Sequence, residues 1–162
     1  MPVAMVRIDD RLIHGQVVEA WIPHLKARRV VVVSDQAASD DTQRTLMRMA
    51  LPDAISLEVV ALAAAGEAAR RAAAAPEPAL ILAPSPREVV GLIDAGLSVR
   101  AVNVGGLHHA AGRIQLGKVI FLGDEDRRNL RALADRGIAL EGRAVPSDRP
   151  MDVAALLLEK AR

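Results

Sequence analysis

The chain has 162 residues, 51% of them hydrophobic and 25% charged, with a formal net charge of +1 and no cysteine. That length predicts one domain over residues 1–162, large enough to bury roughly 68–70% of its unfolded surface, and the composition excludes a disordered or collagen-like chain. With Trp21 and Phe121 as the only aromatic residues and charges of both signs in near balance, nucleic acid is excluded as a partner for want of a basic footprint or a stacking platform; without cysteine, disulfides, thiolate nucleophiles and cysteine zinc sites are ruled out.

In chain order, short apolar and β-branched runs alternate with stretches of helical character. Strands are predicted over 3–8, 30–33, 55–60, 79–83, 101–104, 119–122 and 138–145. Helices are predicted over 15–26, 40–50, 61–75, 86–95, 125–136 and 151–161. Runs that are apolar on both faces suit a covered sheet, and the alternation argues for an α/β fold: an open, mostly parallel seven-stranded sheet with helices on both faces. Punctuation marks the boundaries. Pro52 stops the second helix, Ser85 with Pro86 and Glu88 reads as an N-cap with a capping box, and Gly96 and Gly137 stand where helix C-caps belong. The connection over 105–117 is irregular, and the direction of the sixth strand stays open. Only Pro2 to Val6 precede Arg7, too little for a signal peptide's apolar region, and no run nears the roughly 20 apolar residues of a spanning helix, so a cytoplasmic location is expected.

The stretch Asp9 to His14 falls in a βα turn at the carboxyl end of the first strand, where open α/β sheets place their ligand sites. Amide groups opening the next helix favour an anion there. Near neutral pH, His14 offers an unprotonated nitrogen able to take up and pass on a phosphoryl group, Arg11 a charge matched to phosphate oxygens, and Asp9 or Asp10 a carboxylate to hold the arginine or one imidazole nitrogen. Gly15 permits close backbone approach. The same residues also fit an ordinary polar turn, and chemistry alone leaves that alternative standing.

The segment "RIDDRLIHGQVVEAW", Arg7 to Trp21, resembles the phosphorylation-site signature of the IIB components of the mannose/fructose/sorbose family of bacterial sugar phosphotransferase systems. "VVVVSDQAASDDTQRTLMRMALP", "NVGG" and "DRGIALEGRAVPSD" follow in the same order, extending the resemblance over nearly the whole chain. It implies a cytoplasmic phosphocarrier, peripherally associated with a membrane permease. Such a carrier accepts a phosphoryl group from a phosphorylated IIA protein and donates it to a sugar transported by membrane IIC and IID components, with no cofactor and no metal. His14 then matches the phosphorylated histidine, with Nδ1 as the expected atom, and Arg11 the phosphate-stabilising arginine; Asp9, Asp10, Gly15 and Gln16 match the supporting loop. Gly105 and Gly106 fall at the end of the fifth strand, either lining the same crevice or forming a tight turn with positive φ. A homo-oligomer is left open.

Other polar residues have plainer readings. Ser85 caps a helix or lines the crevice, Trp21 belongs to the core, His24 to a helix end, and Asp124 to Asp126 to the acidic first turn of a helix. His108 and His109 depart from the family pattern, and no third ligand near them signals a metal. A regulatory phosphohistidine module that signals by partner binding is the alternative function. A receiver domain fails because the third strand ends in "EVVALAAAG" without an acceptor aspartate and the fifth in "NVGG" without a lysine.

Overall fold

Apolar runs without alternation become the centre of the sheet. In the computed structural model, which describes residues 2–160, Ala79 to Ala83 are buried at every position and Val30 to Val33 likewise. The strands are β1 (Val3–Asp9), β2 (Arg29–Val33), β3 (Ser56–Val60), β4 (Ala79–Ala83), β5 (Ala101–Gly106), β6 (Ile114–Gln115), β7 (Phe121–Leu122), β8 (Ala139–Gly142) and β9 (Met151–Asp152). The main sheet has seven strands in the order β3-β2-β4-β1-β5-β8-β9, parallel except for β9.

The helices are α1 (Ile22–Leu25), which continues a π-helical stretch Val17–Trp21, then α2 (Asp35–Ala38), α3 (Asp41–Ala50), α4 (Leu62–Ala74), α5 (Pro86–Asp94), α6 (Asp124–Asp135) and α7 (Val153–Lys160). They cover both faces because strand side chains alternate. Val31, Val33 and Ile81 pack with the apolar sides of α4, α5, α6 and α7, while Val30, Val32 and Leu82 pack with Val17, Ile22, Ala37 and Met47. The face of α4 against the sheet is alanine, Ala65, Ala68, Ala69 and Ala72, which lets the helix lie close.

The count of seven holds, but one member is exchanged for another. The run predicted as the sixth strand lies outside the main sheet, because β8 already occupies the edge of β5. It instead extends past the end of β5, where the Leu107 N–H donates to the Val119 carbonyl at 3.0 Å and the Phe121 N–H to the Leu107 carbonyl at 2.7 Å, and it folds back as the β6–β7 hairpin. The seventh strand of the sheet is β9, predicted as helix. Asp152 explains the shift: its carboxylate accepts from the Ala155 N–H at 3.1 Å, so it caps the helix, and Met151 with Asp152 is left to pair antiparallel with β8. Residue 161, predicted as the end of that helix, lies outside the described residues.

Gly96 and Gly137 carry the positive φ expected after a helix, 109° and 79°. Leu12 does so without being glycine, at φ 58°, with its side chain buried among Val17, Val30 and Leu80. A leucine in the left-handed region is strained by about 1–2 kcal/mol, so its apolar anchor holds the loop in that shape.

Candidate functional site

Two rows of the sheet converge on Asp9, the last residue of β1. Arg7 sits two positions earlier on the same face, in the middle of the sheet and fully buried. Its guanidinium donates to Asp9 Oδ2 at 3.1 Å, to the Asn103 side-chain oxygen on β5, and to the carbonyls of Arg143 at 2.8 Å and Ala144 at 3.0 Å beyond β8. The Trp21 ring covers it from 5.0 Å and sends its own N–H to the Ala144 carbonyl at 2.9 Å. Burial lowers the Arg7 pKa and the charge of Asp9 opposes that shift. The ion pair and the four hydrogen bonds from the two Nη atoms offset the cost of burying the charge, while Nε has no partner among the described residues.

Asp9 distributes its two oxygens. Oδ2 takes Arg7 and also His14 Nε2 at 2.9 Å; Oδ1 accepts the Arg11 backbone N–H at 3.1 Å and lies 3.8 Å from the Arg11 Nε. Burial by itself raises the carboxyl pKa, but the His14 hydrogen bond and the Arg7 charge outweigh it and hold Asp9 below the usual carboxylate value. Because an ionised carboxylate only accepts, His14 Nε2 must be the donor, and the lone pair is on Nδ1. The His14 side chain keeps 14% exposure. Gly15 and Gln16 beside it are exposed, and nothing would lie within 4 Å of a Cβ on Gly15, so the approach to His14 is open. No side chain caps the helix that begins here, which leaves its opening amides available to an anion. Arg11 reaches over the same opening, half exposed, with Nη2 donating to Gln16 Oε1 at 3.1 Å.

Asp10 turns the other way. Its carboxylate accepts the His108 backbone N–H at 2.8 Å and the His108 Nδ1, and stands 3.9 Å from Arg113. The tandem aspartates thus hold one histidine each. His109 turns from its neighbour to set its ring edge-on to Phe121, 5.4 Å between centroids.

The two glycines of "NVGG" are required for close approach rather than for a turn. Neither has positive φ, and both lie buried in β5. A Cβ on Gly105 would stand 2.1 Å from the Arg7 Cζ; one on Gly106 would touch His108 at 3.3 Å and Asp9 at 3.4 Å. Gly105 also lines a cleft of about 390 Å³ with Lys118, Arg143 and Arg149. Ser85 behaves differently from the capping box expected of it. Its hydroxyl donates to the buried Glu88 carboxylate and its side chain caps no amide of α5. It stands at the same edge of the sheet, beyond β4, with no hydrogen bond to the His14 loop.

Of the residues that converge here, sequence reasoning proposed His14, Arg11, Asp9 and Asp10, singled out His108 without giving it a role, and assigned nothing to Arg7, Asn103 and Arg113. Arg7 did carry a signal: an arginine amid apolar strand residues, two positions from an aspartate, puts both on one face of the strand. Asn103 lies on β5 and His108 and Arg113 in the connection after it, and no local pattern announces their approach to the loop after β1.

The model of one protein family, the sorbose-subfamily IIB component of the phosphotransferase system, matches residues 3–162. A fructose-specific EIIB component of Bacillus subtilis (strain 168) is 34% identical over 157 residues, 97% of this chain and 96% of that protein. The mannose-specific EIIAB component of Escherichia coli (strain K12) is 32% identical over 157 residues, 97% of this chain but 49% of that protein. The crystal structure of the IIBSor domain of the sorbose permease from Klebsiella pneumoniae superposes with a TM-score of 0.91 at 31% identity, covering 98% of both chains.

Proposed function

The chain belongs to the sorbose-subfamily IIB components of the phosphotransferase system, and on that premise we propose that it carries a phosphoryl group on Nδ1 of His14, taken from phosphorylated IIA and given to a sugar. The hydrogen bond from His14 Nε2 to Asp9 carries this reading, because it fixes the tautomer whose lone pair is on Nδ1. The Nδ1 pair attacks phosphorus, the phosphorus–nitrogen bond to the donor histidine breaks, and that electron pair returns to the donor ring. Arg11 and the opening amides of the helix balance charge on the phosphoryl oxygens, which is most of what such a transfer asks of a protein. Delivery reverses the roles: a sugar hydroxyl oxygen attacks phosphorus and gives up its proton to water, while the bond to Nδ1 breaks and its electron pair returns to the His14 ring.

Partners follow from the same premise. The match of this chain to half of an EIIAB component supports IIA as phosphoryl donor, and membrane IIC and IID components are the proposed site of delivery. No helix among the described residues is long and apolar enough to cross a membrane, so those components supply the membrane passage and the chain docks at the cytoplasmic side.

Incubation with phosphorylated IIA should add one acid-labile phosphoryl group to the protein by intact mass. The His14→Ala variant should gain none while keeping its circular dichroism, since the ring makes one side-chain hydrogen bond and Asp9 keeps Arg7 and the Arg11 amide without it. Stoichiometric phosphate on that variant would place the acceptor elsewhere.

A further inference from the structure

We propose that His108 is a second ligand of the phosphoryl group, donating a hydrogen bond from Nε2 to a phosphoryl oxygen while that group is on His14; this rests on His14 as the acceptor. The ring is held for such a task. Asp10 grips both its Nδ1 and its backbone N–H, and Arg113 donates to its carbonyl at 2.9 Å, so the imidazole is fixed at the sheet's carboxyl edge. Its Cε1 edge lies over Gly106. The Cβ that Gly106 lacks would sit 3.3 Å from Cε1 and 3.4 Å from Asp9 Oδ1, so the ring and the carboxylate that holds His14 both border the gap left by that missing side chain. Any larger residue at Gly106 would close that gap.

Asp10 assigns the ring's protons as Asp9 assigns those of His14. With Nδ1 donating to Asp10, Nε2 is the free nitrogen; among the described residues nothing hydrogen-bonds it, and the side chain is 47% exposed. The charged and titratable groups on its side are Asp10 and Arg113 in contact, Asp126 behind Arg113, and Asp9 across Gly106 with Arg11 and His14 at its carboxylate; β5 contributes only glycine. In the unphosphorylated protein Asp10 has the Arg113 guanidinium 3.9 Å away. A phosphoryl dianion arriving on the other side places the ring between two anions, which favours the imidazolium and makes Nε2 a donor. Charge would then be balanced by Arg11 from the helix side and His108 from the β5 side, the arrangement that spreads compensation over several equatorial oxygens.

The test compares wild type, His108→Ala and His108→Gln, each loaded from phosphorylated IIA. All three should gain one acid-labile phosphoryl group that His14→Ala lacks. The alanine variant should transfer about tenfold more slowly, the loss of one charge-assisted hydrogen bond, with glutamine intermediate because its amide still donates. The phosphorus-31 resonance of the wild-type phosphoprotein should show a pH inflection, beyond that of the phosphoryl group itself, that is missing from both variants. Equal transfer rates for wild type and alanine would overturn the proposal. So would slow transfer in both variants with the phosphorus titration unchanged, which would make His108 only a loop clasp. Failure of all three proteins to accept phosphate would overturn the His14 reading and this one with it.

Discussion

Asp9 and Asp10 are chemically identical and adjacent, yet the fold gives them opposite surroundings. Asp9 closes a buried strand and meets Arg7, Arg11 and His14; Asp10 begins the turn and reaches across to His108. The paired acids were visible in the sequence, and so was the prospect that one would hold an imidazole. Which acid takes which ring was not, since that depends on strand alternation meeting a loop about 100 positions away. Arg11 illustrates the reverse case, a residue whose role is legible but whose contacts are few. Its guanidinium is half exposed and leans on Gln16 and Asp9. Arg11→Ala should therefore leave acid-labile phosphorylation of His14 intact and slow its formation by about tenfold to a hundredfold, as loss of one charged phosphate contact does. Rapid-quench measurement with phosphorylated IIA checks it, and an unchanged rate would remove Arg11 from charge compensation.

At the level of elements, long apolar strands were legible because five or more residues carry a pattern; two-residue strands carry none. Hence β6 was missed, β7 was recognised as a strand but expected in the main sheet, and β9 was read as helix, while β1 to β5 were recovered to within a residue or two. The register of β1 against β5 depends on something sequence reasoning treated as a turn. Arg7 pairs with Asn103 across the sheet and its guanidinium fills the space where Gly105 has no side chain. Gly105→Ala would force a Cβ to 2.1 Å from Cζ of a charge that has no room to retreat. The expected loss is about 3 kcal/mol, at the upper end for overpacking, since moving Arg7 also strains its buried ion pair. Gly15→Ala, with nothing within 4 Å, should change stability little. Urea unfolding of the two variants separates them.

For the molecule as a whole, the same ion pair links function to acid stability. The Asp9 pKa is lower in the folded chain than in the unfolded one, so its contribution is present above about pH 4, the ordinary aspartate range, and is lost as pH falls through the folded value. Asp9→Asn should lower stability at neutral pH by about 3–5 kcal/mol, because a buried arginine loses its counter-charge. It should also flatten the decline below pH 4, as followed by urea titrations at several pH values; an equally steep acid limb in the variant would show that other carboxylates govern it. The partners of Arg7 have one more effect, on timing. They lie 96, 136 and 137 positions further along the chain. The ribosome therefore makes His14 well before the groups that brace its loop. A nascent chain carries His14 long before Asn103, Arg143 and Ala144 emerge to close the cage around Arg7, so the loop after β1 is braced only once residue 144 is free to fold.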